Sequence, residues 1–290
     1  MTFQERLESG KFVVTTEFPP PKGTDISRMQ QIATAVAGWV DAANVTDNQR
    51  AVVRLSPLGA AHILQGWGIE PIMQMTCRDR NRLAIQSDLL SAAALGITNV
   101  LAMTGDYITM GDHPTAKAVF DLDSVQLVSI IHGLNGGHDL VGNALDGAPN
   151  FFIGVVANPG VNPVALQVLK LKKKIQAGAR FIQTQAIYDV PTFKEFMSML
   201  DPDVKVIAGV IPLRSVRMAT FMNENVPGIK VPPSLMARME SAAKPQDEGI
   251  SIAVELLQQL REVCAGVHVM AIGMERYVPT ILEMAGFSRR

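Results

Sequence analysis

The chain has 290 residues, 48% of them hydrophobic, and a formal net charge of −1. That composition suffices for a large core, and the near-neutral balance supplies no field that would favour nucleic acid or an anionic membrane. Two distant cysteines, Cys77 and Cys264, form neither a disulfide framework nor a zinc-ligand spacing, in keeping with a reducing cytoplasm. The N-terminal MTFQERLESGK carries charges where a secretory leader needs an apolar core, and no apolar run approaches the ~20 residues of a membrane span. With no low-complexity tract and no Pro/Gly/Ser linker, residues 1–290 read as a single domain.

In chain order, the first strand runs through Val13, Val14, Thr15 and Thr16 to Glu17 and Phe18, where Pro19–Pro21 stop it. A helix is expected over Asp25–Val40 and a strand over Ala42–Thr46, followed by a helix over Leu58–Trp67. The third strand is Pro71–Cys77, and the helix Leu83–Leu95 ends at Gly96. The fourth strand, Asn99–Thr104, leads into Gly105-Asp106 and a polar loop, Tyr107–Asp121, long enough to suggest a function of its own. Ser124–Leu134 is helical, Phe151–Val156 is the fifth strand, and Pro163–Ala177 is a helix with four lysines. The sixth strand, Phe181–Ile187, is followed by a helix over Pro191–Leu200, the seventh strand Lys205–Ile211 and a helix over Ser215–Asn223. Ser234–Cys264 holds a short and a longer helix, then come the eighth strand Val267–Ile272 and a final helix Tyr277–Ala285. Eight strands alternating with helices predict an α/β fold, a (β/α)8 TIM barrel with an extra helix before the eighth strand. No G-x-G-x-x-G follows the first strand, which weighs against a dinucleotide-binding open sheet.

The strand ends share a pattern: apolar bodies finish at Glu17, Thr46, Thr76, Asp106, Asn158 and Gln185. In a barrel these residues collect at one mouth, where active sites of this fold lie. Glu17, beside Phe18 and the prolines, is expected to be partly desolvated, which raises a carboxyl pKa toward that of a general acid. Asp106 would face it as the second carboxylate, though solvated loop carboxylates are the plainer reading of either alone. Gly105 would let a flat ligand approach the backbone. Gln183 and Gln185 share one face of a strand, and a mouth glutamine offers donor and acceptor to a heterocycle edge, or simply a structural hydrogen bond. Lys170, Lys173 and Lys174 share a helix face; spacing alone favours a solvated basic face over a phosphate site. His113 and His132 have no ligand spacing, and Cys77 reads as packing.

The segments TTEFPPPKG, NVTDN, QMTCRD, NVLAMTGD, LKLKKKIQAGARFIQTQAIYD and GVIP, in this order, resemble the methylenetetrahydrofolate reductase family in its short bacterial form, nearly end to end. The loop GDHPTAKAVFDLDS resembles the short reductases that work beside other redox subunits. The resemblance implies flavin-mediated hydride transfer to 5,10-methylenetetrahydrofolate, giving 5-methyltetrahydrofolate, in a cytoplasmic enzyme of one-carbon metabolism. It implies FAD, with FMN as the alternative, and NADH, NADPH or a partner redox subunit as electron donor. It matches Glu17 to the general acid, Asp106 to the carboxylate between flavin and pterin, and Gln185 to the pterin-binding glutamine. By position it matches Thr46, Gln74, Thr104, Gly105 and Asp106 to flavin contacts. Asp121, Ala157, Asn158, Asn162, Gln167, Lys170, Lys173 and Lys174 match as further flavin contacts, and Arg276 as a substrate contact.

The chain departs from the family pattern at several of these points. Gln74 stands for a histidine, Thr104 for an arginine, Asn158 for a tyrosine and Asn162 for a histidine. Val216 stands near a missing aromatic, and Met274 near Arg276 replaces an arginine. These changes fall mostly at the nucleotide end and the folate tail, and three other readings stay open beside the flavin reductase. One is a flavin-free reductase taking hydride from a nicotinamide cofactor, and another a pterin-binding barrel passing a methyl group to a corrinoid protein. The third is a folate-holding subunit of a larger redox complex. A homo-oligomer or hetero-complex is expected, with the apolar final helix as a contact; neither a metal nor a nucleic acid is.

Overall fold

The structure, a computed structural model, describes residues 1–290. Eight parallel strands close into a barrel in sequence order. They are β1 Val13–Phe18, β2 Ala42–Val45, β3 Pro71–Thr76, β4 Asn99–Met103, β5 Phe152–Ala157, β6 Phe181–Ala186, β7 Lys205–Val210 and β8 Gly266–Val269. The helices are α1 Phe3–Glu8, α2 Ser27–Val36, α3 Pro57–Gly66, α4 Arg82–Ala94, α5 Ser124–Asn135, α6 Val164–Gln176, α7 Val190–Ser198, α8 Val216–Asn225, α9 Pro233–Ser241, α10 Pro245–Leu260 and α11 Val278–Met284. The (β/α)8 expectation therefore holds. Three helices, α8 to α10, occupy the β7–β8 connection, and α10 packs on both strands. None of the helices is long and apolar enough to cross a membrane.

Alternation along each strand divides the core in two. Outward residues such as Val14, Phe18, Val45 and Met73 meet the helices. Inward residues Val13, Ala42, Ile72, Leu101, Phe152, Phe181 and Ile207 form a separate apolar floor. Helix α1 closes that floor from below with Phe3 and Leu7. Phe3 stands edge-on to Phe152 and Phe181, at 5.9 and 5.4 Å, and those two rings stack at 5.0 Å. A Cβ on Gly154 would fall 2.1 Å from the Phe181 ring, so glycine is what admits that ring to the barrel. A Thr2–Glu5 capping box starts α1, the Phe3 N–H donates to Glu70 (2.8 Å), and Arg6 pairs with Asp41 (2.9 Å). The charged N-terminal pattern gave no sign of this plug, because only two of its residues are buried apolar ones.

Several boundaries shift. The apolar run Val267–Ile272 is strand only to Val269: Ile272 (φ 41°) and Gly273 (φ 85°) are left-handed, turning the chain into α11. Helix α2 covers only Ser27–Val36, bounded after Ala37 by Gly38 at φ 78°. Strand β6 carries a register irregularity against β7 between Gln183 and Ala186.

Replacing Phe3 by alanine empties the space beneath Phe152 and Phe181. An unfolding free energy lowered by about 3–5 kcal/mol is expected from urea titration, and a change within experimental error would refute the plug's role.

Candidate active site

The carboxyl ends of the strands open into a cavity of about 380 Å3, within the range of small-molecule sites. Glu17 enters it from the end of β1, and Asp106 from the loop after β4. A tight turn after β2 touches both. Gln49 Nε2 donates to Glu17 Oε1 at 3.0 Å, and the Arg50 N–H donates to Asp106 Oδ2 at 3.1 Å. This turn is unusual backbone: Asn48, Arg50 and Ala51 have φ of 43°, 57° and 55°. Left-handed conformations are costly for Arg and Ala and persist only where surroundings impose them. Here Asn48 Oδ1 takes the Arg54 N–H (3.0 Å), its carbonyl takes Arg78 Nη2 (3.1 Å), and Gly111 packs on the Ala51 carbonyl, where a Cβ would come within 1.8 Å. Gly111 belongs to the long Tyr107–Asp121 loop, which is further tied down by a Lys22–Asp112 ion pair and a Val119 N–H to Arg78 carbonyl bond (2.8 Å). The loop thus clamps the turn that holds the two carboxylates.

Beneath the turn lies a buried charge network. Asp47 accepts from the Thr76 N–H (2.9 Å) and O–H (2.7 Å) and from both terminal nitrogens of Arg80 (2.8 and 3.3 Å). Arg80 also pairs with Asp88, and the fully buried Arg78 forks onto Asp79 at 2.7 and 2.8 Å. These cations are committed. Lys170 on α6 forms no ion pair, and buried Lys174 donates only to the Val156 carbonyl (2.9 Å), so the α6 wall carries the free positive charge. Burial, then repulsion from Lys170, brings the Lys174 amine down to about 8.

Desolvation pushes the Glu17 carboxyl up to about 7, with Glu275 adding to the rise and the Gln49 hydrogen bond opposing it. The Glu17 side chain is half-buried at the cavity wall, with Gln49 as its hydrogen-bond partner. A carboxyl poised there exists in both forms near neutrality, which suits proton transfer. Burial raises Cys77 to about 12, as suits a packed thiol.

The cavity brings together most of the residues singled out from sequence. Thr104, Gly105, Ala157, Asn158 and Gln167 line it with Gln74, Gln185, Lys170 and Lys174. The irregularity in β6 breaks strict alternation, so Gln183, Thr184 and Gln185 all reach it. Five residues stand elsewhere. Thr46 is buried beneath the rim with its hydroxyl unpartnered. Asp121 forks onto Arg82, which holds its carboxyl down at about 2. Lys173 points away from the cavity because helical geometry spreads 170, 173 and 174 over an arc, and only the first and last face inward. Asn162 is exposed at the start of α6, and Arg276 lies over its neighbour Tyr277, 4.6 Å from the ring. Gly105 is demanded by φ 96° and by Thr76 and Arg78, 3.0–3.2 Å from where a Cβ would be. Sequence reading missed Asp47, Gln49, Arg78 and Met270 in the lining. The runs Asp47-Asn48-Gln49 and Arg78-Asp79-Arg80, polar clusters at strand ends, were the available signals.

Fold and cavity together are those of a (β/α)8-barrel enzyme with an acid at one wall and cations at the other. The model of the methylenetetrahydrofolate reductase family matches residues 2–286, and the chain belongs to that family. It is 26% identical to methylenetetrahydrofolate reductase 2 of Schizosaccharomyces pombe over 97% of this chain and 46% of that protein. It is 25% identical to 5,10-methylenetetrahydrofolate reductase of Pectobacterium carotovorum over 75% of this chain and 71% of that one. The chain spans about half the length of the first of these relatives. Among solved structures, EDTA monooxygenase from Chelativorans sp. BNC1 shares the fold, with a TM-score of 0.58 at 11% identity, covering 96% of this chain and 95% of that one.

Because the Glu17 carboxyl is raised in the folded state, it favours folding fully below its unfolded value, and that contribution is lost as pH rises through about 7. Glu17→Gln, free of this loss, is expected to gain in Tm relative to wild type between pH 5 and pH 8, by about 2 °C or more. A difference independent of pH would contradict the raised value.

Proposed function

We propose that this chain reduces 5,10-methylenetetrahydrofolate to 5-methyltetrahydrofolate with a bound flavin. The observation that carries the reading is Glu17, a carboxyl raised to about 7 in a cavity that also presents Asp106 and Gln185. The residues present fit the flavin. Lys170 and Lys174 offer positive charge bound to no carboxylate, and the unpartnered Asn158 Oδ1 at the cavity wall lacks a donor that a polar ring edge can supply. Lys170, Lys174 and Gln167 would hold the phosphate end of FAD or FMN. Gln74, Thr104, Gly105, Ala157 and Asn158 would surround the ring. When bound and reduced by a nicotinamide cofactor or a redox subunit, the flavin supplies hydride.

The protein's part is protonic and electrostatic. Neutral Glu17 donates its proton to the substrate nitrogen as the imidazolidine ring opens to the iminium cation. The Asp106 carboxylate, fixed by the Arg50 N–H, stabilises the positive charge that develops on that cation. Gln185, held at the irregularity of β6, offers donor and acceptor to the amide edge of the pterin. Gln49 keeps the Glu17 carboxyl oriented through one oxygen and leaves the other for the proton.

Glu17→Gln is expected to lose about 10²–10⁴-fold in methylenetetrahydrofolate reduction while retaining flavin. The wild-type rate is expected to fall as pH rises above about 7, where Glu17 gives up its proton. Full activity of the variant, or a rate that climbs through that range, would remove Glu17 from the role.

A further inference from the structure

We propose that the side-chain carbonyl of Asn44 accepts a hydrogen bond from the O–H of neutral Glu17, and that Gln183 holds Asn44 in the orientation that permits this. Its purpose rests on the reading of Glu17 as proton donor, but its geometry does not.

The β1–β2 register pairs Glu17 with Asn44. Both occupy inward positions, Glu17 two pairs along from Val13 and Asn44 one pair along from Ala42, the floor residues of their strands. Neighbouring strands lie about 4.8 Å apart, so such a pair stands side by side within the barrel. Asn44 is wholly buried. Its Nδ2 donates across the barrel to Gln183 Oε1 at 3.0 Å, and its Oδ1 is buried with no partner at all. A buried carbonyl in that condition lacks a donor. The neighbouring Glu17 has one oxygen occupied by Gln49, and in its neutral form the carboxyl carries one O–H to give.

The two needs match in only one protonation state. Neutral Glu17 satisfies Asn44 Oδ1, whereas an ionised Glu17 would set carboxylate and carbonyl oxygen against each other. Asn44 in this orientation therefore favours the neutral acid, adding to what burial already does. Turned over, the amide would present Nδ2 and favour the carboxylate instead; the Gln183 carbonyl, by taking Nδ2, opposes that turn. The other groups near Glu17 are fixed by contacts of their own. Glu275 accepts the Gly273 N–H and pairs with Arg28. His268, beside Thr15 on the far side of β1, is held neutral by burial, which lowers it to about 3. Asp47, Arg78, Asp106, Lys170 and Lys174 share the cavity.

The test is a double-mutant cycle on folding stability in the absence of substrate, with Glu17→Ala, Asn44→Ala and both, read by urea unfolding at pH 5.5 and pH 9. A favourable coupling at pH 5.5 that vanishes or changes sign at pH 9 is expected. Equal coupling at both values, none at either, or stronger coupling at pH 9 would overturn the proposal. Should Asn44→Ala not fold, Gln183→Met leaves Asn44 in place. In that variant the Glu17 pKa, followed by the infrared band of its protonated carboxyl (identified by its loss in Glu17→Gln), is expected to fall by about one unit, a tenfold change in proton affinity. An unchanged or raised value would overturn the proposal. Neither measurement involves turnover, so an inactive reductase leaves the proposal standing, and failure of the cycle leaves the reductase reading to its own assay.

Discussion

The left-handed turn after β2 is the constraint on which the site depends. Through Gln49 it orients one carboxylate and through the Arg50 N–H it anchors the other, although these come from strands on different sides of the barrel. Holding Arg50 and Ala51 at positive φ costs on the order of 1–3 kcal/mol each. The offset comes from below and above. Below, Asp47 is locked to Thr76 and Arg80, and above, Gly111 and the long loop leave the turn no room to relax. The long loop is thus less a connector than a brace for the acid pair.

Charge is partitioned across the mouth. The arginines of the β3 end are spent on Asp47, Asp79 and Asp88, and so cannot neutralise Asp106 by direct pairing. The uncommitted cations sit on α6, where Lys174 is buried and held near 8. A ligand with an anionic end and a ring that becomes cationic finds each end matched by the opposite sign. Below this polar layer the floor is apolar and sealed by α1, so the mouth is the opening the cavity offers.

Much of the fold was legible because a parallel barrel repeats one local signal: a short apolar run, a polar end, then a helical period. The helices between β7 and β8 and seven of eight strand positions followed from it closely. The candidate site was legible where a strand end itself lines the cavity, as with Glu17, Asp106 and Gln185. It was not legible where geometry comes from partners far away in the chain. Gln49 reaches Glu17 across 32 residues and Asp121 is captured by Arg82 across 39, and no periodicity reports such pairings. Lys173 shows the limit of spacing arguments: three lysines on one arc do not all face the same cavity. The plug was hidden because two buried residues in six make too short a pattern.

The proposed reaction needs one cavity to hold a flavin and a folate within reach of Glu17. An anaerobic visible spectrum of the purified protein, taken before and after adding 5-methyltetrahydrofolate, reads both at once. An oxidised flavin band that bleaches on addition is expected, since the hydride step then runs in reverse. A protein that shows no flavin band even after incubation with FAD and FMN, or whose band is untouched by the folate, would contradict the proposed reaction.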